Sequence, residues 1–242
     1  MQAIFRKELH AFFSSLIGYL VIAVFLVILG LVMFVFPDSS VLEYPYATLS
    51  QLFDNAPLIF LFLIPAVCMR SFAEEEQNGT IEFLLTKPVG KLDLILGKYL
   101  SCLALVLFAL LPTLLYYYTV YQLGSPPGNL DAGAVAGSYI GLILLAACFA
   151  AIGIFASALS KNQITAFVLA TFLCFLWYYG FFFFSKLPVF TGRGDILVQM
   201  LGIDYHYDVI SKGVIDSRNV VYFLSIVAFF LFLTQQRLEE QK

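Results

Sequence analysis

The sequence predicts an all-α protein that crosses a membrane six times, and three observations carry that reading. Hydrophobic residues make up 61% of the 242-residue chain and charged residues only 12%, with a mean hydropathy of +0.92, a balance that belongs to a polytopic membrane protein and excludes a soluble domain. Charge is absent from residues 11–37, 55–69, 99–130, 132–160, 162–185 and 219–236. Most of these runs reach the ~20 residues a helix needs to cross ~30 Å of hydrocarbon. Much of the remaining charge is gathered in one island, residues 67–98, VCMRSFAEEEQNGTIEFLLTKPVGKLDLILGK. That island is where the protein must meet something aqueous.

Each element can be justified in turn along what is expected to be one membrane domain, 1–242. In residues 1–15, Ile4, Phe5, Leu9, Phe12, Phe13 and Leu16 recur at helical spacing, with Gln2, Arg6, Lys7 and His10 elsewhere on the wheel. Basic residues beside a phenylalanine-rich face suit an amphipathic interfacial helix that bends into the first span. Span one, about 16–36, ends at Pro37-Asp38 before an acidic external loop. Span two is placed at about 50–69, and its short charge-free run requires the helix to start upstream, near Tyr46, with Asp54 close to one interface. Asp54 suits an N-cap there, with Pro57 in the first turn, or a polar group in a translocation route.

The island then opens with Arg70, runs through Glu74, Glu75 and Glu76, and turns at Asn78-Gly79. The following stretch, Thr80 to Leu85, predicts a short cytosolic helix capped by Thr80, with Glu82 at its positive N-terminus and Pro88 as its stop. Ile81, Leu84 and Leu85 would pack along the ends of the spans and leave a small helix presented to a partner. Span three, about 99–122, carries Pro112 and a cluster of Tyr116, Tyr117, Tyr118 and Tyr121 that suits an interfacial aromatic belt. Span four, about 133–159, has Gly133, Gly137, Gly141, Ala147 and Ala151 in a register that lets backbones approach closely, against another subunit or against its own chain. Lys161-Asn162 makes a hairpin with span five, about 163–184, whose aromatic end, including Tyr178 and Phe182, suits an anchor, a hydrophobic route or a subunit interface. Asp54, Gly137, Tyr178 and Phe182 are the candidate pathway or dimer contacts. Residues 185–218 predict short helices at or dipping into the outer face, and span six covers about 219–236.

Orientation follows from the basic residues. With the N-terminus inside, Arg6, Lys7, Arg70, Lys87, Lys91, Lys98, Lys161, Arg237 and Lys242 are cytosolic, nine of thirteen, so both termini are expected in the cytosol. No cleavable signal is expected, because the first apolar run is about twice the length of a signal core and lacks an A-x-A site. Cys68, Cys102, Cys148 and Cys174 fall within or at the ends of spans without C-x-x-C spacing, which predicts free thiols packed as small hydrophobes. Catalytic patterns are missing. Gly90-Lys91 and Gly97-Lys98 lack the glycine spacing and the following Ser or Thr of a phosphate loop, and H-E-x-x-H and G-x-S-x-G are absent. His206, in Tyr205-His206-Tyr207-Asp208, suits an ordinary polar loop. No enzyme activity, metal or cofactor is expected on this chain.

The run Ile64-Pro65-Ala66-Val67-Cys68-Met69-Arg70, then Ala73-Glu74-Glu75-Glu76, then Gly79-Thr80-Ile81-Glu82-Phe83-Leu84-Leu85-Thr86-Lys87-Pro88 and the later Leu96-Gly97-Lys98-Tyr99 resembles the permease subunits of type-2 ABC transporters. The start at Phe5 to Glu8 and the Lys212 to Phe223 approach to span six are similar to the gliding-motility-associated members of that family. The resemblance implies a non-enzymatic permease of the bacterial inner membrane, surrounded by lipid and with no nucleic-acid partner. It implies two six-helix halves, identical or related, paired with separately encoded ATPase subunits that hold ATP and Mg, and an auxiliary gliding-motility subunit. It implies a coupling surface at Arg70, Glu74, Glu75, Glu76, Gly79, Thr80, Glu82, Leu84, Leu85 and Pro88, where exposed carboxylates pair with basic groups on the ATPase. An ATP-independent channel or carrier would call instead for ionisable groups at mid-membrane, and apart from Asp54 the spans lack them. A structural membrane anchor for a motility complex is the remaining alternative.

Overall fold

Hydrocarbon offers no water to backbone N–H and C=O groups, so an apolar chain satisfies them within helices. A computed structural model describes residues 1–36, 40–41, 47–81, 90–188 and 193–240, and among these there is no strand. Helix α1 (Gln2–Ser14) meets α2 (Leu16–Phe34) at a bend of 68° over an extended Ser15. Span two is α3 (Ser50–Cys68), followed by the short α4 (Ala73–Gln77). Span three is α5 (Lys91–Leu110) continued by α6 (Thr113–Leu123), with Pro112 at the break. Span four is α7 (Ala132–Leu159). Span five joins α8 (Gln163–Phe175), a π-helical turn (Leu176–Gly180) and α9 (Phe181–Ser185). Helices α10 (Arg193–Gln199) and α11 (Ile203–Ser211), called outer because α11 packs at the end of the bundle opposite the charged island, precede span six, α12 (Ser217–Glu240). Five of these stretches are long and apolar enough to cross a membrane, and the bent α1–α2 pair makes a sixth when taken as one span.

Three helices outlast their charge-free runs, α3 by starting at Ser50 ahead of Asp54. Span three begins at Lys91 and span six runs on to Glu240, because charged residues at an aqueous end continue a helix readily once the apolar segment has nucleated it. Pairs such as Gln235–Glu239 and Arg237–Glu240 add support in the last turns of α12.

The core is built around α7, whose small residues let neighbours come close. Asp131 caps it, its Oδ1 accepting from the Gly133 and Ala134 amides at 2.9 and 3.0 Å, and Asn162 caps α8 through the Thr165 amide at 2.8 Å. A Cβ at Gly137 would lie 2.6 Å from the Gly213 carbonyl oxygen, and one at Gly141 would lie 2.6 Å from Ile210. The glycine face of span four is therefore filled by this chain's own outer segment. All four cysteines are free and buried.

Span two lies where expected, but its capping differs. The helix begins at Ser50 with Leu49 in the capping position, so Asp54 is not a cap; it is an exposed side chain in the second turn, and Pro57 and Pro65 lie inside the helix. A proline has no N–H to donate to the carbonyl four residues before it. At Pro57 the orphan is the Phe53 carbonyl, and the hydroxyl of Tyr207 on α11 donates to it at 2.7 Å. The tyrosine belt is also only partly a belt: Tyr118 is exposed, whereas Tyr116 turns inward and donates to the Leu26 carbonyl of span one at 2.9 Å.

Candidate functional site

The charged island sits at one end of the bundle. Helix α4 has no local side-chain cap, since Phe72 occupies that position. The hydroxyl of Ser157, near the end of α7, replaces one. It accepts from the Phe72 and Ala73 amides at 2.9 and 3.1 Å and donates to the Met69 carbonyl at 3.1 Å.

The acidic run is held from the other side by Lys98, which is only 2% exposed. Its Nζ lies 2.9 Å from Glu75 Oε1 and 3.0 Å from Glu8 Oε1, and it also donates to the Ser71 carbonyl. The ring of Phe72 lies 5.1 Å from the same ammonium. Glu8 arrives on α1, which can press against α5 because a Cβ at Gly97 would stand 2.9 Å from Ile4. Lys7 reaches Glu8 and Glu75 at 3.5 and 3.6 Å, and Arg70 grips Glu74 with two bonds of 3.0 and 3.2 Å. Three cations and three carboxylates thus border one polar cavity of about 260 Å³. Within this cluster the pairs made by buried Lys98 add little net stability, because desolvation offsets the attraction, whereas deleting that lysine alone costs about 3–5 kcal/mol.

Of the residues expected to form the coupling surface, the structure brings Arg70, Glu74 and Glu75 together, yet it pairs them with each other and with Lys98. They are half-buried internal ties, and their charge is already answered within the chain. Glu76 is half-buried, and its Oε2 has no hydrogen-bond partner among the described residues. Gly79 takes a φ of +66° at the exposed turn. The Thr80 amide and hydroxyl both donate back to the Glu75 carbonyl, at 2.9 and 3.2 Å, closing α4. Beyond Ile81, the expected short helix with Glu82, Leu84, Leu85 and Pro88 lies outside the described residues. Among the proposed pathway or dimer residues, Asp54 is exposed near the outer end, Gly137 faces its own chain, Tyr178 is buried against Phe149 and Tyr207, and Phe182 is exposed at 39%. On the outer helix α11, burial pushes the Asp204 carboxyl above its ordinary value, Asp208 adds to the shift and a bond from Tyr178 opposes it.

Sequence reasoning missed Lys98 and Ser157. Lys98 did leave a signal: it is the one charge in LILGKYLSC, and an ionisable group inside an apolar helix asks for a partner. Ser157 left none, because a serine among alanines is also an ordinary packing residue.

No curated protein matches the chain. Residues 2–188, more than three quarters of its length, match the family model described as ABC-2 family transporter protein. An all-helical, multi-span bundle is the architecture such a membrane component requires, and the chain belongs to this family as a membrane permease of an ABC transporter.

Proposed function

We propose that the protein is the permease subunit of an ATP-driven transporter whose nucleotide chemistry resides on a separate ATPase subunit, and that the charged end is where that ATPase docks. The observation that supports this reading most directly is the fixing of α4 to spans two, three and four at once, through the main chain at Arg70, through Lys98 and through Ser157. A small helix anchored to several spans converts a push from a partner into rigid-body movement of those spans. The segment from Gly79 to Pro88 is the further docking element, with Glu76 and Glu82 facing basic groups on the ATPase. The charged end then lies in the cytosol of a bacterium, with both termini, and the bundle lies in the inner membrane. A second permease half completes the transporter. The likeness of Phe5 to Glu8 and of Lys212 to Phe223 to the gliding-motility permeases supports a place in that branch, with an auxiliary membrane subunit.

Because Glu74 and Glu75 are engaged internally, the decisive variant is Glu76→Lys. Reversing that charge is expected to reduce copurification of the ATPase by at least tenfold while leaving membrane insertion and the unfolding temperature unchanged. Undiminished recovery of the ATPase would sink the docking assignment.

A further inference from the structure

Helix α4 has five residues, far fewer than the ~12–15 at which an isolated helix becomes even marginal in water. Its shape is therefore imposed from outside. Ser157, fully buried on span four, supplies the cap that Phe72 cannot. Lys98 on span three supplies the countercharge for Glu75, and the same ammonium is shared with Glu8 on α1. The two carboxylates come from helices that are far apart in sequence, and without the ammonium they would repel each other. Replacing the ammonium and both carboxylates together by apolar residues of similar volume would hold a fold about as well, whereas replacing the lysine alone would strand Glu8 and Glu75. What a lysine does that an apolar side chain cannot is bind two acidic elements to one point and hold them in a fixed relation.

We infer that Lys98 and Ser157 are positioning residues that make α4 a rigid extension of spans two to four and tie α1 to it, so that a displacement of α4 is delivered to span one as well. This rests on the proposed docking of an ATPase at the charged end. Ser157 fixes the N-terminal turn of α4 and Lys98 fixes its third helical residue, so the helix is held at two points and cannot swivel about either. Gly97 is the third part of the device. It lets α1 lie close enough on α5 for Glu8 to reach the ammonium.

Amide hydrogen exchange on the full-length protein in lipid nanodiscs, read by mass spectrometry, tests this without any partner. Ser157→Ala is expected to speed exchange of amides 72–77 about tenfold, the effect of a lost cap, while Ser157→Thr, which keeps the hydroxyl, retains the original rates. Glu8→Gln, a change on α1, is expected to speed exchange on α4 as well as on α1. Acceleration confined to the substituted helix would overturn the inference, and so would uniform acceleration across all spans. In the assembled complex, Glu8→Gln is expected to retain the ATPase while losing at least tenfold in ATP-driven turnover; unchanged turnover counts against the tie. Copurification with Glu76→Lys reports on docking alone, so failure of the docking reading and failure of the tie are distinguishable.

Discussion

At the scale of single residues, the most instructive pair is Pro57 and Tyr207. The proline frees the Phe53 carbonyl inside span two, and a tyrosine from the outer segment, itself buried, donates to that oxygen at 2.7 Å. Tyr207→Phe removes the donor and leaves a buried carbonyl unsatisfied, which costs about 1–3 kcal/mol. Chemical unfolding in detergent is expected to show a loss of that size, and an unchanged unfolding midpoint would mean that water replaces the hydroxyl. Pro57 was visible in the sequence as a helix interruption, but its partner was not, since nothing local identifies the side chain that will fill a vacated hydrogen-bonding position. Lys98 and the acidic run show the same asymmetry. The charges were legible, and their mutual neutralisation was not, because it depends on α1 folding back along α5.

At the scale of elements, the apolar runs were nearly sufficient. A span is specified by length and hydropathy, both of which are local, so the six expected segments correspond to helices in the structure. What local patterns could not specify is which neighbour each face meets. The glycine register of span four identified a close-packing face, and the structure assigns it to Gly213 and Ile210 of the same chain. Gly137→Leu would place a branched side chain where the backbone of residue 213 already lies, and overpacking of this kind costs about 1–3 kcal/mol or more. The expected outcome is displacement of α11, detected as faster proteolysis of the outer segment 203–213 in nanodiscs. Retention of full protection there would show that the outer segment is not seated on that face. Span two starts where the sequence placed it, near residue 50, but Asp54 resembles a cap by type and is not one: Thr48 and Ser50 stand a turn earlier at the helix start, with Thr48 Oγ1 accepting from the Ser50 amide at 3.1 Å.

At the scale of the whole molecule, the segments assigned to one side by their basic residues do meet at one end. Glu8, Glu75 and Lys98 converge there, and Lys91 donates to the Leu238 carbonyl at 3.0 Å, bringing in the close of span six. Single cysteines at Asn78 and Ser217, both exposed, in a background lacking the four native thiols, are expected to label oppositely with an impermeant reagent on intact spheroplasts: Ser217→Cys reacts and Asn78→Cys does not. Labelling at position 78 alone would invert the orientation. The capping of α4 by Ser157 also bears on how the chain is made. The island leaves the ribosome long before span four does, and its hydroxyl cap arrives only when that span is inserted. A nascent chain halted after span three would hold the acidic run by Lys98 alone, with the first amides of α4 uncapped. Completion of the fourth span is then the biosynthetic step at which α4 first gains both of its anchors.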